Sequence, residues 1–226
     1  MKKLEEVIGY KFKNKRYLEI ALTHSSYANE SRDRKLKSNE RLEFLGDSVL
    51  GLVCAAHLFE EHPDVMEGEL TKMRSSLVCE GALCTCAREI GLGEHLRLGK
   101  GEESGGGRTR DSILADAMEA LIGAVYLDAG LDTARKFIME YVLLPGQARM
   151  MRAAITDYKT ALQEIVQKNH GEVLSYRLTD SCGPDHQKSF SVEVLLNSNV
   201  IGRGIGHSKK EAEQMAAKEA LELMGL

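Results

Sequence analysis

A long apolar stretch that contains two acids places the strongest limit on the fold. Apart from Asp116 and Glu119, which lie three positions apart, residues 113–127 are almost entirely apolar. Gly130 follows at a position that suits the C-cap of a helix. Because a helix that is apolar on all sides packs in the interior of a domain, the sequence predicts a buried helix over residues 112–128.

A second helix, with acids on one face, is predicted between residues 39 and 50. Glu40, Glu43 and Asp47 recur at intervals of three and four, so they project from the same side of a helix. Apolar residues occupy another face: Leu42, Leu45 and Val49. Acids that are stacked in this way repel one another unless a positive charge lies between them.

The acids of the apolar helix need a partner that the local sequence does not supply. No lysine or arginine lies between Arg110 and Arg135 to pair with Asp116 or Glu119. A buried carboxylate without a partner costs several kcal/mol of desolvation. A divalent cation shared with the other acidic helix would satisfy both sets of acids, and carboxylate oxygens favour Mg²⁺ or Mn²⁺. Such a cation can activate water and stabilise a phosphodiester during in-line attack.

An alternative for the first acidic helix is an ordinary solvated face. In that interpretation the acids of residues 39–50 pair with Lys37 or Arg41 and bind no metal. The apolar surroundings of Asp116 and Glu119 argue against it, because a need for solubility does not explain acids in a buried helix.

Composition favours a mainly helical protein without a globally basic surface. The 226 residues include three prolines and no tryptophan, and 43% of them are hydrophobic. The net charge is −4, made up of −3 in residues 1–150 and −1 in residues 151–226. Any binding of nucleic acid must therefore depend on local basic patches.

The cysteines and the N-terminus predict a cytoplasmic location. Five cysteines, an odd number, are distributed without a zinc-like spacing to histidine, so we expect reduced and partly buried thiols. Such thiols are typical of a reducing cytosol. The first residues lack the apolar stretch of a signal peptide, and we expect no membrane-spanning segment and no membrane partner.

The periodicity changes after residue 150, which predicts two domains. We expect an all-helical domain at 1–146, a linker at 147–154 and a small α+β domain at 155–226. The second domain is predicted as a helix at 157–169, three strands and a closing helix from Ser208, with Glu211 completing a capping box. The three strands are expected at 173–179, 189–196 and 200–206.

Within the first domain we expect helices with short breaks. Helical periodicity covers residues 4–60 and 67–90, and the glycine-rich segment 99–107 is expected to be a mobile loop. Another helix is expected over 131–142, stopped by the dipeptide Pro145-Gly146.

Four sequence blocks resemble the signature blocks of the ribonuclease III family, in the family's order: 22–27, 39–50, 67–74 and 111–128. The second of them, which reads NERLEFLGDSVL, is highly specific, whereas a lone E-x-x-E-x-x-x-D spacing would not be. The resemblance implies an all-helical endonuclease domain that dimerises and places two metal sites in one RNA-binding valley.

The resemblance also implies roles for individual residues. Four acids would hold the catalytic Mg²⁺, for which Mn²⁺ can substitute: Glu43, Asp47, Asp116 and Glu119. Of these, Asp47 and Glu119 are expected to be catalytic. Glu40 and Glu67 would line the same valley in a supporting role.

Two further residues of these blocks have alternative interpretations. Phe44 is expected to reach across a homodimer interface, where a partner surface would cover it; packing in the core is the alternative. His24 could serve as a general base, but we interpret it as structural, since water activated by a metal needs no histidine.

Residues 157–164 and 206–221 resemble the double-stranded RNA-binding domain. Lys209 and Lys210 lie on the first turn of the last helix, where the helix dipole and free amides favour phosphate. Three polar residues of the first helix suit 2′-hydroxyls in the minor groove: Thr160, Gln163 and Glu164. The loop that contains His186 would reach a second minor groove. Glu213 departs from a basic residue that many such domains have near this position.

These features together predict ribonuclease III, an endonuclease that uses metal-activated water to hydrolyse both strands of duplex RNA. The resemblance implies 5′-phosphate and 3′-hydroxyl ends, and precursors of ribosomal and messenger RNA as substrates. One alternative is a non-catalytic binder of structured RNA, which would be expected to lack some of the acids. The other is a helical scaffold whose acids only keep it soluble.

Overall fold

The chain forms two compact units in a computed structural model, which describes residues 2–155, 157–167, 171–182 and 188–226. The units comprise residues 1–148 and 149–226. The first is helical and the second combines a three-stranded sheet with helices, which confirms the predicted fold class.

The first unit is built from ten helices, of which the last continues into the second unit. Their bounds are α1 Lys2–Val7, α2 Lys15–Ala21, α3 Ser25–Glu30, α4 Glu40–Glu61, α5 Glu67–Val78, α6 Glu80–Glu89, α7 Lys100–Ser104, α8 Asp111–Ala129, α9 Leu131–Ile138 and α10 Leu144–Ile155. Two 3₁₀ turns, Leu92–His95 and Gly107–Thr109, and a π-helical turn, Met139–Leu143, connect some of them.

Helix α8 lies at the centre of the first unit, as the apolar stretch predicted. Nearly every side chain from Ile113 to Val125 is buried, and α2, α4, α6 and α9 pack around it. The helix ends at Gly130, whose φ of 82° is in the left-handed region and whose N–H donates to the carbonyl of Tyr126 at 2.8 Å. Gly130 is therefore the predicted C-cap.

Helices α4 and α8 cross at a pair of glycines, where their backbones are in contact. A Cβ atom on Gly46 would overlap the backbone carbonyl of Glu119, and one on Gly123 would overlap the carbonyl of Leu42. The two helices can approach this closely only because neither has a side chain at the crossing. The crossing lies next to the acids of both helices.

Two expectations about the middle of the first unit were incomplete or wrong. The helical stretch 67–90 is divided into α5 and α6 at Cys79, whose backbone is extended. Segment 99–107 is not an irregular loop, because it contains α7 and the start of a 3₁₀ turn. Ion pairs that sequence periodicity does not reveal hold this segment: Arg108 with Glu103, and Arg110 with Glu102.

The predicted helix stop at Pro145-Gly146 was also wrong. Pro145 is the second residue of α10, and its missing N–H removes one helical hydrogen bond without ending the helix. The π-helical turn before it carries the chain from α9 into α10 without a break. Helix α10 thus covers residues 147–154, which were expected to be a linker; the three predicted domain limits remain a prediction.

Helix α4 has the length and composition of a membrane span, with a mean hydropathy of 1.5 over 18 residues. The expectation that no segment has these properties was wrong. In the structure α4 packs along α8, as a core helix of a globular domain does, and its first two turns carry three acids.

The second unit has the predicted order of one helix, three strands and a final helix. Its elements are α11 Tyr158–Gln167, β1 Leu174–Cys182, β2 Ser189–Leu196, β3 Asn199–Gly206 and α12 Lys209–Leu223. The strands form an antiparallel sheet in the order β1-β2-β3, and both helices pack on one face of it. The end of the helix predicted at 157–169 lies outside the described residues.

Small residues bring α12 against β3. Three buried glycines alternate along the strand: Gly202, Gly204 and Gly206. Three buried alanines of α12 face them: Ala212, Ala216 and Ala220. A Cβ atom on Gly204 would overlap the helix backbone at Ala216, so the sheet and the helix touch through their main chains.

We expect the glycine crossing to tolerate no side chain. Gly123→Ala should lower the free energy of unfolding of the first unit by about 1–3 kcal/mol or more, because the new methyl group must force α4 and α8 apart. Gly51→Ala is the matched control on α4, since no atom lies within 4 Å of its ideal Cβ position. That change should stabilise the helix by roughly 0.5–1 kcal/mol. The free energies of unfolding of both variants and of wild type are measured by urea unfolding. Equal values for the two variants would contradict a close backbone contact at the crossing.

Candidate metal centre and nucleic-acid interface

Three carboxylates from α4 and α8 meet beside the glycine crossing. Glu43, Asp116 and Glu119 each offer a carboxylate oxygen, and these atoms all lie within 4.8 Å of one another. All three side chains are partly buried. We call this set the carboxylate cluster, and it brings together three of the four predicted metal ligands.

No lysine or arginine in the described part of the chain forms an ion pair with the cluster. Among the described residues, none of the carboxylates of Glu43, Asp116 and Glu119 accepts a hydrogen bond or forms an ion pair. Burial without such partners disfavours the charged form of a carboxylate. The cluster is therefore held in place by the packing of its helices and not by attraction between its members.

The pKa values of the cluster rise for this reason. Burial raises the pKa of Glu119 to about 7, with further contributions from the charges of Asp47, Glu43 and Asp116. Burial and then the charge of Asp116, followed by those of Glu40 and Asp47, raise the pKa of Glu43. Burial also raises the pKa of Asp116. Burial and mutual repulsion thus disfavour the simultaneous ionisation of these carboxylates.

Asp47 and the two supporting acids lie outside the cluster. Asp47 is exposed on α4 and is not one of the three mutually close carboxylates, but its charge acts on Glu43 and Glu119. Glu40 accepts a hydrogen bond of 2.6 Å from the hydroxyl of Ser38. The exposed Glu67 instead accepts one of 3.0 Å from Thr71 on its own helix. Glu40 thus adjoins the cluster, while no contact in the structure connects Glu67 to it among the described residues.

Two residues that the sequence did not connect with Asp116, Glu80 and His24, influence its pKa. After burial, the charge of Glu80 is the main cause of the raised pKa of Asp116, and His24 acts in the opposite direction. Glu80 begins α6, so no spacing within α8 could have revealed it. His24 is the N-cap of α3, where its Nδ1 accepts from the N–H of Ser26 at 3.3 Å. This hydrogen bond agrees with the structural interpretation of His24.

The residues of the cluster fit a hard divalent cation. Oxygen donors from three carboxylates surround one small volume, and no lysine, arginine or thiol competes for it in the described part of the chain. Carboxylate oxygens are the preferred ligands of Mg²⁺ and Mn²⁺. A cation at this place would relieve the repulsion that raises the pKa of Glu119.

The predicted RNA contacts of the second unit that the structure describes are exposed, as binding requires. Lys209 and Lys210 occupy the first turn of α12, which is capped by Ser208 through a hydrogen bond of 3.1 Å from the N–H of Glu211. Thr160, Gln163 and Glu164 are exposed on α11. The Thr160 hydroxyl also donates to Asp157 at 2.8 Å. His186 lies outside the described residues.

The departure at Glu213 has a structural explanation. Lys159 of α11 forms an ion pair of 2.5 Å with Glu213 of α12, and its ammonium group lies 4.6 Å from the ring centre of Tyr176. A basic residue at 213 would repel Lys159. Glu213 therefore connects α12 to α11 through Lys159, whose ammonium group also lies over Tyr176 of the sheet.

Phe44 is exposed next to the carboxylate cluster. Its side chain is 77% exposed, and Leu52 and Phe59 farther along α4 are 57% and 74% exposed. An apolar hollow of about 580 Å³ opens beside the start of α4, with Leu42, Leu45 and Leu127 among its lining residues. The alternative that Phe44 packs in the core of its own chain was wrong.

Comparison with known proteins assigns the family. A family model described as Ribonuclease-III-like matches residues 14–145, more than half of the chain. The chain belongs to the ribonuclease III family. A second model, the double-stranded RNA binding motif, matches residues 158–224. The predicted class, a ribonuclease III endonuclease with an RNA-binding module, is thereby confirmed.

Relatives within the family match along almost the whole chain. Ribonuclease 3 of Caldanaerobacter subterraneus subsp. tengcongensis is 51% identical over 223 residues, covering 99% of this chain and 97% of the relative. Ribonuclease 3 of Clostridium tetani is 50% identical over 224 residues, covering 99% and 94%. A solved nuclease domain of ribonuclease III from Campylobacter jejuni is 41% identical, with a TM-score of 0.58, and covers 62% of this chain and 93% of that one.

The raised pKa of Glu119 predicts an unusual dependence of stability on pH. Without divalent cations, the folded protein keeps this proton up to about pH 7, whereas the unfolded chain loses it near its ordinary value of 4.5. The folded state binds more protons in this interval, so the cluster's contribution to the free energy of unfolding falls as the pH rises. Glu119→Gln should remove this contribution.

The measurement is urea unfolding of wild type and Glu119→Gln in chelator between pH 4.5 and 8. The stability of wild type minus that of the variant should decrease up to about pH 7 and then level off. Added Mg²⁺ should stabilise wild type more at pH 8 than at pH 5, because the cation binds the ionised carboxylates. Parallel pH profiles would show that Glu119 titrates normally.

Proposed function

We propose that this chain hydrolyses phosphodiester bonds in both strands of duplex RNA and depends on a divalent cation, Mg²⁺ or Mn²⁺, held at the carboxylate cluster. The observation that carries the proposal is the convergence of Glu43, Asp116 and Glu119 without a cationic side chain to pair with them in the described part of the chain. The RNA-binding module on the same chain supplies the class of substrate.

The acids have distinct roles in this proposal. Glu43, Asp116 and Glu119 would be ligands of the cation, and Asp47, which is exposed on the same helix as Glu43, would be the fourth. Asp47 and Glu119 are the catalytic residues. Both would act through the cation that they hold, and Glu119, whose pKa is about 7 without metal, must release its proton before it can bind that cation. Glu40 and Glu67 support the same valley.

The proposed reaction is hydrolysis by in-line displacement at phosphorus. A bound divalent cation supplies a Lewis acid that lowers the pKa of water and neutralises negative charge on the phosphate. The chain's carboxylates fix the geometry, so that water attacks phosphorus in line with the departing 3′ oxygen. Attack from this side leaves a 5′-phosphate and a 3′-hydroxyl end.

The second unit positions the duplex. Lys209 and Lys210 at the start of α12 bind phosphates across the major groove, where the helix dipole adds to their charge. Thr160, Gln163 and Glu164 contact 2′-hydroxyls in the minor groove, and the loop with His186 reaches the next one. We expect shape-dependent binding to precursors of ribosomal and messenger RNA in the cytoplasm, which suits five free cysteines.

A homodimer completes the proposal. Phe44, Leu52 and Phe59 expose large apolar side chains along α4, and a surface of this kind favours association. Two copies joined through α4 would place two carboxylate clusters along one valley, one for each strand of RNA. The nuclease domain from Campylobacter jejuni is described as having a region involved in dimer formation.

Glu119→Gln should abolish cleavage and retain binding. Loss of one charged ligand at a site of this kind should lower the rate by at least about 100-fold. Glu61→Gln is the matched control, since it is the same substitution at the exposed end of α4. The measurement is the product pattern of long duplex RNA with Mg²⁺ and with chelator, beside RNA binding by each variant. Cleavage in chelator, or equal cleavage by Glu119→Gln, would disprove the mechanism, and wild type that binds without cutting would indicate an RNA-binding protein.

Phe44→Glu should convert a dimer into a monomer, because a charge would be buried at the centre of the proposed interface. The mass in solution, from light scattering during size-exclusion chromatography, provides the measurement. Leu223→Glu is the control, an equally exposed apolar residue on α12, at 75% against 77%. A wild type that is monomeric at high concentration, or a dimeric Phe44→Glu, would rule out this interface.

A further inference from the structure

Positive charge is concentrated at one end of an otherwise acidic nuclease unit. Residues 1–41 contain 11 lysines and arginines against 6 acids, a net charge of +5. Residues 42–150 contain 10 against 18, a net charge of −8. The overall charge of −3 for residues 1–150 conceals this separation along the chain.

The segment between α3 and α4, residues 31–38, carries the densest part of this charge, and we call it the basic loop. Four exposed cations lie on it: Arg32, Arg34, Lys35 and Lys37. The acid of the loop, Asp33, is occupied with the backbone, since it accepts from the N–H of Lys35 at 2.9 Å. In the described part of the chain none of the four cations forms an ion pair. Their charges are thus available to a ligand.

One side of the basic loop leads to the catalytic acids. A groove of about 910 Å³ is lined by Arg32 and Arg34, and Glu40 also lines it. Glu40 begins α4, accepts a hydrogen bond from Ser38 of the loop at 2.6 Å, and raises the pKa of Glu43. The groove, which Asp33 also lines, therefore reaches the first residue of α4, and Glu43 of the cluster lies three residues farther along that helix.

The other side of the loop borders a second basic hollow. Lys35 and Lys37 line a cavity of about 190 Å³ together with Arg16 of α2 and Arg97. The Arg97 guanidinium is fixed above the ring of Tyr27, at 4.5 Å from its centre, and donates to the Tyr27 hydroxyl at 3.0 Å. Four cations from three separate segments thus line one hollow, and they outnumber its two acids, Glu19 and Asp33.

We propose that the basic loop binds phosphates of the RNA duplex beside the bond that is cleaved. The inference rests on the proposed function, because it assigns the loop a ligand that the carboxylate cluster would cut. RNA that approaches residues 42–150 meets net negative charge, and cations next to the cluster offset the repulsion where it is strongest. Arginine and lysine side chains suit phosphate oxygens and read no sequence, so this contact positions the duplex without selecting its bases.

The test compares two double variants of the full chain. Arg32→Ala/Arg34→Ala removes two cations from the groove, and Arg135→Ala/Lys136→Ala removes two exposed cations from α9 as a control of equal charge. Binding of a long RNA duplex is measured in chelator at several salt concentrations, so that no cleavage occurs. Each phosphate contact contributes about 0.9 to the slope of log affinity against log salt.

The slope of log affinity against log salt should be smaller in magnitude by nearly 2 for the loop variant than for wild type. The α9 control should keep the wild-type slope. Between about 50 and 200 mM salt, the affinity of the loop variant should then change roughly tenfold less than that of wild type. Lys209→Ala/Lys210→Ala removes two cations from the second unit, and its slope shows how large a change the loss of two phosphate contacts produces. A loop variant with the slope of the α9 control would overturn the proposal.

Cleavage provides an independent readout. With Mg²⁺, the loop variant should raise KM and leave kcat at saturating RNA unchanged, because the loop positions the substrate and does not touch the reacting atoms. A lowered kcat with an unchanged KM would contradict a binding role. If wild type binds duplex RNA but does not cut it, the proposed function fails, yet the salt slopes still decide whether the loop binds phosphate.

A free anion is the other possible source of the phosphate. Inorganic phosphate, added at constant ionic strength, should lower RNA binding by wild type and by the loop variant to the same extent. Selective competition against wild type would mean that the loop is a site for a small anion, which overturns its assignment to the RNA backbone.

Discussion

The contact between the backbones of α4 and α8 at Gly46 and Gly123 determines where everything else in the nuclease unit lies. Without side chains at the crossing, the helices approach until main-chain atoms touch. Glu43 and Glu119 lie within one turn of this point, so their carboxylates are forced together although they repel each other. Apolar packing around the buried α8 provides the free energy that opposes this repulsion.

The same constraint explains the electrostatics of the site. The helices cannot move apart to relieve the repulsion, and no lysine or arginine among the described residues forms an ion pair with the carboxylates. The remaining responses are to take up a proton, as the raised pKa of Glu119 indicates, or to bind a metal ion. Protonation and metal binding therefore compete for the same oxygens, and the fold prepares the site for a cation before any substrate arrives.

Sequence reasoning found the acids but not the arrangement that joins them. The spacing of Asp116 and Glu119 within an apolar helix is a local signal, and so was readable. The role of Gly46 depends on how two distant helices cross, and Glu80 reaches Asp116 from another element, so no periodicity reports either. The helix end predicted at Pro145 was wrong because the effect of a proline depends on the helix around it, which the local sequence does not show.

In the RNA-binding unit, the glycines of β3 and the alanines of α12 have a consequence for how the chain can vary. Positions 202, 204 and 206 face the helix backbone and admit no atom beyond hydrogen, while the exposed Arg203 and Ile205 between them face away from it. Acceptable change should thus alternate residue by residue along one strand. Functional variants should therefore keep glycine at positions 202, 204 and 206, whereas positions 203 and 205 should accept other residues.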